Sequence, residues 1–295
     1  MSERGESMTE RLSDSEISQV LSLVEAATEE DGVAPLSEHA LLRLRNGGHG
    51  LTIADPSGTV VAYAHLDPAT EDESASAELV VHPSHRRQGY GRALLRTLRD
   101  EAGGPLRVWA HGDLPAAAAL AEAEGLRRVR ALFQMRRPAA DPLPEFRVPD
   151  DVRLRTFVPG RDEEAWLEVN RRAFADHPEQ GAWTIEDVRQ REREPWFDPS
   201  GFFLAEGVAT GKLLGFHWTK VHPDGAGEVY VVGVDPDAQG HGLGRVLTLA
   251  GLRHLQQRGV PYILLYVDES NAAAVRLYES LGFTRHTVDV MYGTA

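Results

Sequence analysis

The sequence contains no cysteine, which excludes disulfide bonds, a thiolate nucleophile and a cysteine-ligated zinc site. It also lacks any run of about 18 apolar residues that could span a membrane, and its first ten residues lack the apolar segment of a signal peptide. Lysine is almost missing, with Lys212 and Lys220 standing beside 29 arginines. The net charge of -14 disfavours nucleic acids and anionic membranes as partners. These absences favour a cytoplasmic protein.

What the sequence does contain is an internal repeat. The stretch "RRQGYGRALL" begins at residue 86, and "QGHGLGRVLT" begins at residue 239. Gly89, Gly91 and Arg92 of the first copy recur 153 positions later in the second copy. At 295 residues, with 42% apolar and 26% charged residues, the chain can form two domains that each bury a core. A duplicated domain is therefore expected.

Both halves show the same order of periodic segments. Helices come first, with Ser13 and Ser37 as candidate N-caps in the first half, and alternating strands follow. A glycine turn, a helix, a strand, a second helix and a last strand complete each half. The pattern predicts an α/β fold of the α+β type with a mixed sheet in each domain. The expected domains are residues 1–137 and 151–295, joined by a proline-rich linker at 138–150.

The glycine turn predicts an anion site. A strand, a turn with two close glycines and a helix place unpaired backbone N–H groups and the positive end of the helix dipole at one point. Glycine permits positive φ and lets a ligand approach the backbone. One such turn is weak evidence, because many are only tight connections, but two copies at one spacing are more specific. Neither copy has the three-glycine spacing and acidic partner of a dinucleotide-binding fold.

The pattern [QR]-x-x-G-x-G resembles the acetyl-CoA pyrophosphate loop of the GNAT superfamily of N-acetyltransferases. Residues 86–91 and 239–244 both match it, and "NAAAVRLYESLGF" at 271–283 resembles a second cofactor-side segment of that superfamily. The resemblance implies two tandem GNAT-like domains that bind acetyl-CoA. Amide formation from a thioester also needs a base for the ammonium and an acid for the leaving thiolate.

The resemblance places the acid at Tyr278, on the last helix. When Gly125 is aligned with Gly282, Ala121 falls opposite Tyr278, so the first half lacks this hydroxyl. A partly buried helical tyrosine with no chemical role is the alternative interpretation. The C-terminal domain is therefore expected to be catalytic, and the N-terminal domain is expected to bind acetyl-CoA without reacting.

Glu228 is the candidate base, because it begins the strand that leads into the second glycine turn. Counting back 153 positions places Ala75 opposite Glu228, and Glu78 is then offset by three residues. An odd offset along a strand predicts that Glu78 points to the opposite face and cannot replace Glu228. A solvated acid at a strand edge is the alternative for Glu228.

Seven segments along the chain narrow the resemblance to the mycothiol synthase family, among them "FADHPEQGAWT", "LLGFHWTKVHP" and "GEVYVVGVDP". That family acetylates the cysteinyl amine of cysteinyl-glucosaminyl-inositol with acetyl-CoA. The resemblance implies these substrate-binding residues: Glu38, Glu179, Lys220, Glu228 and Tyr266. It implies these acetyl-CoA contacts in the second half: Val232, Gly233, Val234, Gln239, Gly240, His241, Gly242, Leu243, Gly244, Arg245, Asn271, Ala272, Ala273, Ala274, Val275 and Arg276. In the first half it implies these contacts: Leu79, Val80, Val81, Arg87, Gln88, Gly89, Tyr90, Gly91 and Arg92. Because Glu38 lies in the first half, its use would place the substrate between the domains.

No metal cofactor is expected. His217 and His222 lie five positions apart on one strand, so they should face opposite sides, and no cysteine or carboxylate completes a ligand set. The expected partner is a small-molecule amine, without nucleic acid or membrane, and a monomer is expected. Two alternatives remain: a GNAT enzyme for another small amine or a protein N-terminus, and a non-catalytic acetyl-CoA-binding protein.

Overall fold

A computed structural model describes residues 11–47, 50–70, 73–175 and 177–294, without the side chains of residues 178 and 179. The helices are α1 Asp14–Asp31, α2 Glu38–Gly47, α3 Tyr90–Ala102, α4 Pro115–Ala123, α5 Glu163–Ala173, α6 Pro178–Gly181, α7 Ile185–Glu192, α8 Leu243–Gln257 and α9 Ala272–Ser280. The strands are β1 Leu51–Ala54, β2 Val60–Asp67, β3 Ala75–Val81, β4 Leu106–Ala110, β5 Arg127–Pro138, β6 Val152–Thr156, β7 Phe202–Gly207, β8 Leu213–Val221, β9 Gly227–Val234, β10 Tyr262–Asp268 and β11 Thr284–Gly293. The predicted α/β class with mixed sheets is confirmed.

Local sequence signals explain where several elements begin. Ser13 forms a capping box with Glu16 at the start of α1, which satisfies two backbone donors at once. The Ser37 hydroxyl accepts a hydrogen bond from the backbone N–H of Ala40 in the first turn of α2. Between β1 and β2 the turn that contains Gly58 closes an antiparallel hairpin. Within the described ranges, no helix combines the length and the apolar character needed to cross a bilayer.

The chain folds into two compact units whose boundaries differ from the expected ones. Unit 1 runs to Leu132 and takes up the chain again from Thr287, whereas unit 2 is Phe133–His286. The last strand of the sequence therefore serves unit 1, where Val290 on β11 pairs with Ala110 on β4. Strand membership follows the hydrogen-bonded ladder, which chain order alone does not fix.

Unit 1 has the strand order β1-β2-β3-β4-β11, in which only β3 and β4 run parallel. Apolar side chains cover both faces of this sheet. On one face α3 and α4 pack against β2 and β3, through residues such as Leu98 and Ala121. On the other face α1 and α2 pack against Tyr63 and Val80.

Unit 2 has the strand order β5-β10-β9-β8-β7-β6, with β9 and β10 parallel and β6 to β9 antiparallel. One face carries an aromatic cluster of α5, β7 and β8, in which Trp166, Phe202 and Trp218 are fully buried. The other face is covered by α8 through Leu243 and Leu247.

The proline-rich segment that follows β5 has no helix or strand, as its composition predicts, but it is held against α8 within unit 2. The backbone N–H of Ala139 donates to the carbonyl of Pro261 at 3.2 Å. Gln256 on α8 donates to the carbonyl of Asp141 at 2.8 Å, and the guanidinium of Arg253 lies 4.7 Å from the centre of the Phe146 ring. The segment is therefore a fixed part of unit 2.

Candidate active site

The second glycine turn joins β9 to α8 in unit 2. Gly240 and Gly242 both have positive φ, at +86° and +76°, and Gly242 is the N-cap of α8. The side chain of Gln239 donates to the carbonyl of Val234 at 3.2 Å and so ties the turn to the strand end. A Cβ at either glycine would meet no atom within 4 Å, so open space lies above the backbone. The turn is shaped to receive a ligand against its main chain.

The first glycine turn repeats this geometry between β3 and α3. Positive φ occurs at Arg87 (+63°) and at Gly89 (+94°), which correspond to the two glycines of the second copy. Arg86 donates through Nε to the carbonyl of Val81 at 3.3 Å, in the manner of Gln239. A non-glycine residue with positive φ is uncommon, so unit 1 keeps the loop shape at some cost in strain.

Both helices begin with backbone N–H groups that have no partner inside the helix. The first intrahelical bond of α3 runs from Ala93 to Gly89, and that of α8 runs from Val246 to Gly242. The amides of residues 90–92 and 243–245 are therefore available to an anion. Nearby, Arg92 pairs with the buried carboxylate of Glu124 at 2.6 Å, so part of the positive charge of unit 1 is already neutralised.

The segment with the candidate acid is also repeated, which supports the expected pairing of Ala121 with Tyr278. The backbone N–H of Phe283 donates to the backbone carbonyl of Tyr278 at 3.1 Å. At the equivalent position of unit 1, the backbone N–H of Leu126 donates to the backbone carbonyl of Ala121 at 2.8 Å. The Tyr278 side chain is 7% exposed in α9, and burial raises the pKa of its hydroxyl to about 12. It is therefore protonated at neutral pH and able to donate a proton.

Glu228 lies on β9 directly opposite Lys220 on β8, and each side chain is only 6% exposed. Its carboxylate oxygen Oε2 is 2.6 Å from Nε2 of His222, whose ring is partly exposed. The ammonium of Lys220 lies 4.5 Å from the ring centre of Trp196 and 5.1 Å from that of Tyr230. A buried carboxylate thus lies between a lysine and a histidine on one face of the sheet.

The aromatic rings on this face are fixed in place. Arg191 is buried, donates through Nε to the hydroxyl of Tyr230 at 2.7 Å, and stacks 3.8 Å from the centre of the Trp183 ring. Tyr230 in turn lies 5.0 Å from Trp196, centre to centre. Trp183 and Tyr230 lie in segments that carry the family resemblance, but nothing in their local sequence indicates that their rings meet around Arg191.

The expected equivalence of Glu228 with Ala75 is wrong, because β9 contains one extra residue. Between Trp218 and Thr219 the pairing of β8 advances by one residue while β9 advances by two, so Tyr230 is a bulge. The pairing of β2 with β3 in unit 1 is regular throughout. Lys220 pairs with Glu228, and the corresponding pair of unit 1 is Asp67 with Ser76.

The same register shows that the predicted orientation of Glu78, towards the face opposite to that of Glu228, is wrong. Glu78 is two residues from Ser76 on a regular strand, so it points to the face that carries Glu228 in unit 2. It is nevertheless engaged elsewhere: it accepts a hydrogen bond from the backbone N–H of Ser37 at 2.6 Å and lies 3.6 Å from the ring of His111. Its unsuitability as a base follows from these contacts and not from the face.

The remaining predicted residues are distributed along both units. Tyr266 on β10 is 45% exposed, and its hydroxyl accepts a hydrogen bond from the side chain of Gln134 at 2.8 Å. Glu38 begins α2 in unit 1. Glu179 falls in α6, but its side chain lies outside the described part of the chain. The structure brings Lys220 and Glu228 together, whereas the roles of the other three stay predictions.

Asn271 and the two candidate histidines are also placed by the structure. The side chain of Asn271 caps α9 by accepting from the N–H of Ala274 at 3.1 Å. His217 lies on the α8 face, where its Nδ1 is 2.8 Å from the carbonyl of Leu247, whereas His222 lies near Glu228. The sequence treated His222 only as a possible metal ligand. The missed signal is that Lys220 and His222 are two apart at a strand end and can therefore share a side.

The sequence profile of the Acetyltransferase (GNAT) family matches the chain twice, at residues 17–126 and 164–283. The chain belongs to this family. The mycothiol acetyltransferase of Thermomonospora curvata is 67% identical to it, covering 99% of this chain and 98% of that protein. The mycothiol acetyltransferase of Thermobispora bispora is 59% identical, covering 92% of this chain and 94% of that protein.

Solved structures of GNAT proteins share the fold over nearly the whole chain. A GCN5-related N-acetyltransferase from Sphaerobacter thermophilus superposes with a TM-score of 0.72 at 25% identity, covering 96% of this chain and 94% of that one. A tandem GNAT protein from the clavulanic acid biosynthesis pathway gives a TM-score of 0.72 at 23% identity, covering 95% of each chain. The tandem arrangement of this GNAT acetyltransferase is thus confirmed.

Proposed function

We propose that this GNAT enzyme transfers the acetyl group of acetyl-CoA to the cysteinyl amine of 1D-myo-inositol 2-(L-cysteinylamino)-2-deoxy-glucopyranoside, giving mycothiol and CoA. The observation that carries the proposal is the high identity, over nearly the full length, with relatives named mycothiol acetyltransferase. The polar face of unit 2 adds chemical support, because it offers a buried carboxylate beside a lysine and a histidine. A cytoplasmic location stays a prediction.

Acetyl-CoA fits the glycine turn of unit 2 as the donor substrate. The open space above Gly240 and Gly242 and the unpaired amides of residues 243–245 suit a pyrophosphate lying against the main chain. Arg245 adds a positive charge in the first turn of α8, where its guanidinium also contacts the hydroxyl of Ser280 at 3.1 Å. When bound, the donor supplies an activated thioester carbonyl.

We assign Glu228 as the base that removes a proton from the substrate ammonium. Removal of this proton frees the nitrogen lone pair, which attacks the carbonyl carbon, and the bond from that carbon to sulfur breaks. His222 contacts the carboxylate of Glu228 and is partly exposed to solvent. We assign to it the positioning of the carboxylate and the release of the proton to water.

We assign Tyr278 as the proton donor to the leaving sulfur. Burial raises the pKa of its hydroxyl to about 12, so the hydroxyl carries its proton at neutral pH when the thiolate leaves. As the carbon–sulfur bond breaks, the developing thiolate accepts the proton of this hydroxyl, and the products are the CoA thiol and a transient tyrosinate. The attacking nitrogen loses its second proton to solvent as the amide forms, and Tyr278 regains one proton from solvent, so the net reaction releases the single proton that Glu228 removes.

Substrate recognition is assigned to Lys220, Glu228 and Tyr266 in unit 2. The substrate carries one ammonium group and many hydroxyls, and hydrogen bonds to charged groups contribute about 1.5–3 kcal/mol each. Lys220 is confined by two aromatic rings, which fixes a donor for a hydroxyl oxygen. Contacts by Glu38 and Glu179 stay predictions from the family resemblance.

The deciding experiment measures release of the CoA thiol from acetyl-CoA with cysteinyl-glucosaminyl-inositol and, in parallel, with a panel of simple amines and a peptide with a free N-terminus. We expect kcat/KM for the first substrate to exceed the others by at least about 100-fold, or about 2.7 kcal/mol. Equal rates would favour a GNAT enzyme of another amine. Binding of acetyl-CoA without thiol release from any amine would favour a non-catalytic binding protein.

A further inference from the structure

Unit 1 contains a second group of polar side chains, which the proposed reaction does not use. His39 on α2, His65 on β2 and Asp67 at the end of β2 converge on one point. The Nε2 atom of His39 is 3.0 Å from Oδ1 of Asp67, and Nε2 of His65 is 3.2 Å from the same oxygen. One atom of each side chain lies within 4.8 Å of the others.

These distances are close to those of ligands that share one metal ion. Imidazole nitrogen and carboxylate oxygen bind zinc at about 2.0–2.2 Å, so two such ligands at 90–110° are about 3.0–3.4 Å apart. The rings of His39 and His65 are 5.8 Å apart, centre to centre, and inclined at 73°. Two separate rings can therefore point a nitrogen at a common centre after small side-chain rotations.

The burial of His65 is a separate observation that calls for a ligand. His65 is 5% exposed; its Nδ1 has no hydrogen-bond partner among the described residues, and its Nε2 has only the contact with Asp67 at 3.2 Å. A buried imidazole that lacks part of its hydrogen bonding costs free energy, and a bound ion is one way in which a folded protein offsets that cost. His39 and Asp67 are about 40% exposed, which leaves an entry path.

We propose that unit 1 binds a divalent transition-metal ion of the zinc class through His39, His65 and Asp67. Two imidazoles and one carboxylate suit Zn²⁺, Co²⁺ and Ni²⁺, and three protein ligands leave at least one position for water. Among the described residues no fourth side chain joins the set, which distinguishes the site from a closed structural zinc centre. The site does not depend on the proposed acetyl transfer.

The comparison of the two units gives this site a physical reason. Asp67 occupies the strand position that Lys220 occupies in unit 2, and His65 occupies that of Trp218. In unit 2 this position therefore carries a built-in positive charge, whereas in unit 1 it carries an acid flanked by histidines. A bound cation would restore positive charge at the same place of the fold. It would also join the first turn of α2 to the end of β2 and so stabilise unit 1.

The test uses the full-length chain without a histidine tag. Co²⁺ is titrated with visible absorption as the readout, and Zn²⁺ is titrated by calorimetry, each on the wild type, on His39→Asn and on Asp67→Asn. Both replaced side chains are partly exposed, so these variants should fold. His82→Asn is the matched control, because His82 and His85 form a similar pair of rings, 5.5 Å apart and inclined at 80°, without a shared carboxylate.

We expect one ion per chain for the wild type and for His82→Asn, with a visible Co²⁺ spectrum typical of four or five ligands. Affinity should fall by at least about tenfold in His39→Asn and in Asp67→Asn, and Zn²⁺ should raise the melting temperature of the wild type but not of these two variants. Two results would overturn the proposal. One is no stoichiometric binding by the wild type, and the other is binding that survives in both ligand variants.

Discussion

The two units repeat one loop and differ on the neighbouring face of the sheet. Both glycine turns have positive φ at the same two positions, and both leave three amides unpaired at a helix start. On the strand before the turn, unit 2 carries Glu228 opposite Lys220, whereas unit 1 carries Ser76 opposite Asp67. Backbone geometry that suits a cofactor has thus been kept in both units, whereas the side chains suited to an amine substrate occur in one.

The bulge at Tyr230 is a second difference between the two strands. An extra residue on β9 increases the local twist and re-aims side chains, which is why bulges recur beside active sites. In unit 2 it adds the Tyr230 ring to the polar face beside Trp196 and Lys220. Unit 1, without the extra residue, places Glu78 in the position of Val231 and uses it to hold the start of α2. The carboxylates of the two units therefore occupy different strand positions, and the one in unit 1 has a structural role.

Substitution of the matched glycines Gly89 and Gly242 is the most direct test of which unit transfers the acetyl group. Gly242→Val should lower turnover by about 100-fold or more, because positive φ is strained for valine and the donor would be misplaced by an ångström or so. Gly89→Val should leave most of the turnover and reduce bound acetyl-CoA from two to one per chain. Steady-state rates and calorimetric stoichiometry check both. An inactive Gly89→Val beside an active Gly242→Val would show that the working unit is wrongly assigned.

Glu228→Gln should lower kcat by about 10²–10⁴-fold, the range of general-base catalysis, with little change in acetyl-CoA affinity. Part of the loss should be recovered at high pH, because more of the substrate amine is then already deprotonated. Ser76→Ala, at the equivalent position of unit 1, is the control and should keep wild-type rates. Rates at neutral pH equal to the wild type in Glu228→Gln would remove this residue as the base.

Tyr278→Phe should lower kcat by about 100-fold while the fold and acetyl-CoA binding persist. Since the pKa of Tyr278 is raised to about 12, the wild-type rate should not decline through loss of this proton below about pH 11. The pH dependence of kcat for both proteins is the measurement. If Tyr278→Phe turns over like the wild type, the thiolate leaves without help from this hydroxyl.

His222→Gln should have a smaller effect, about tenfold in kcat, because it acts through Glu228 and does not touch the reacting atoms. Since His222 is proposed to pass the proton on to water, the pH profile of kcat should change along with its value. The exposed His286→Gln is the control for loss of a histidine. A lower rate with an unchanged pH profile would indicate a merely structural contact.

His111 of unit 1 is expected to affect the stability of the protein and to have the smallest effect on turnover. Burial acts to lower its pKa, but hydrogen bonds and charge from Asp289 and Glu78 raise it to about 10. Because this value exceeds the unfolded one, the stabilisation is full below about pH 6.5 and is lost as the pH rises through about 10. The difference in unfolding free energy between wild type and His111→Gln should therefore shrink between these values.

The pKa of His217 in unit 2 is shifted in the opposite direction, so its contribution to stability should show the opposite dependence on pH. Burial lowers its pKa to about 4, so its contribution is present above about pH 6.5 and is lost as the pH falls towards about 4. Urea unfolding of the wild type, His111→Gln and His217→Gln at several pH values measures both trends. A pH-independent difference for His111→Gln would show that its ring is not charged in the folded protein.

The sequence by itself determined the repeat, the two glycine turns, most helices and strands, and the replacement of Tyr278 by Ala121. These features depend on residues close together in the chain, through periodicity, capping and the conformational freedom of glycine. Tertiary structure alone decided that the chain from Thr287 onward serves unit 1, that β9 carries a bulge, and that His222 meets Glu228. The spacing of His65 and Asp67 on one strand hints at a shared face, but only the packing of α2 brings His39 to them. Strand partners and side-chain clusters are set by contacts between distant segments, and no local pattern encodes those contacts.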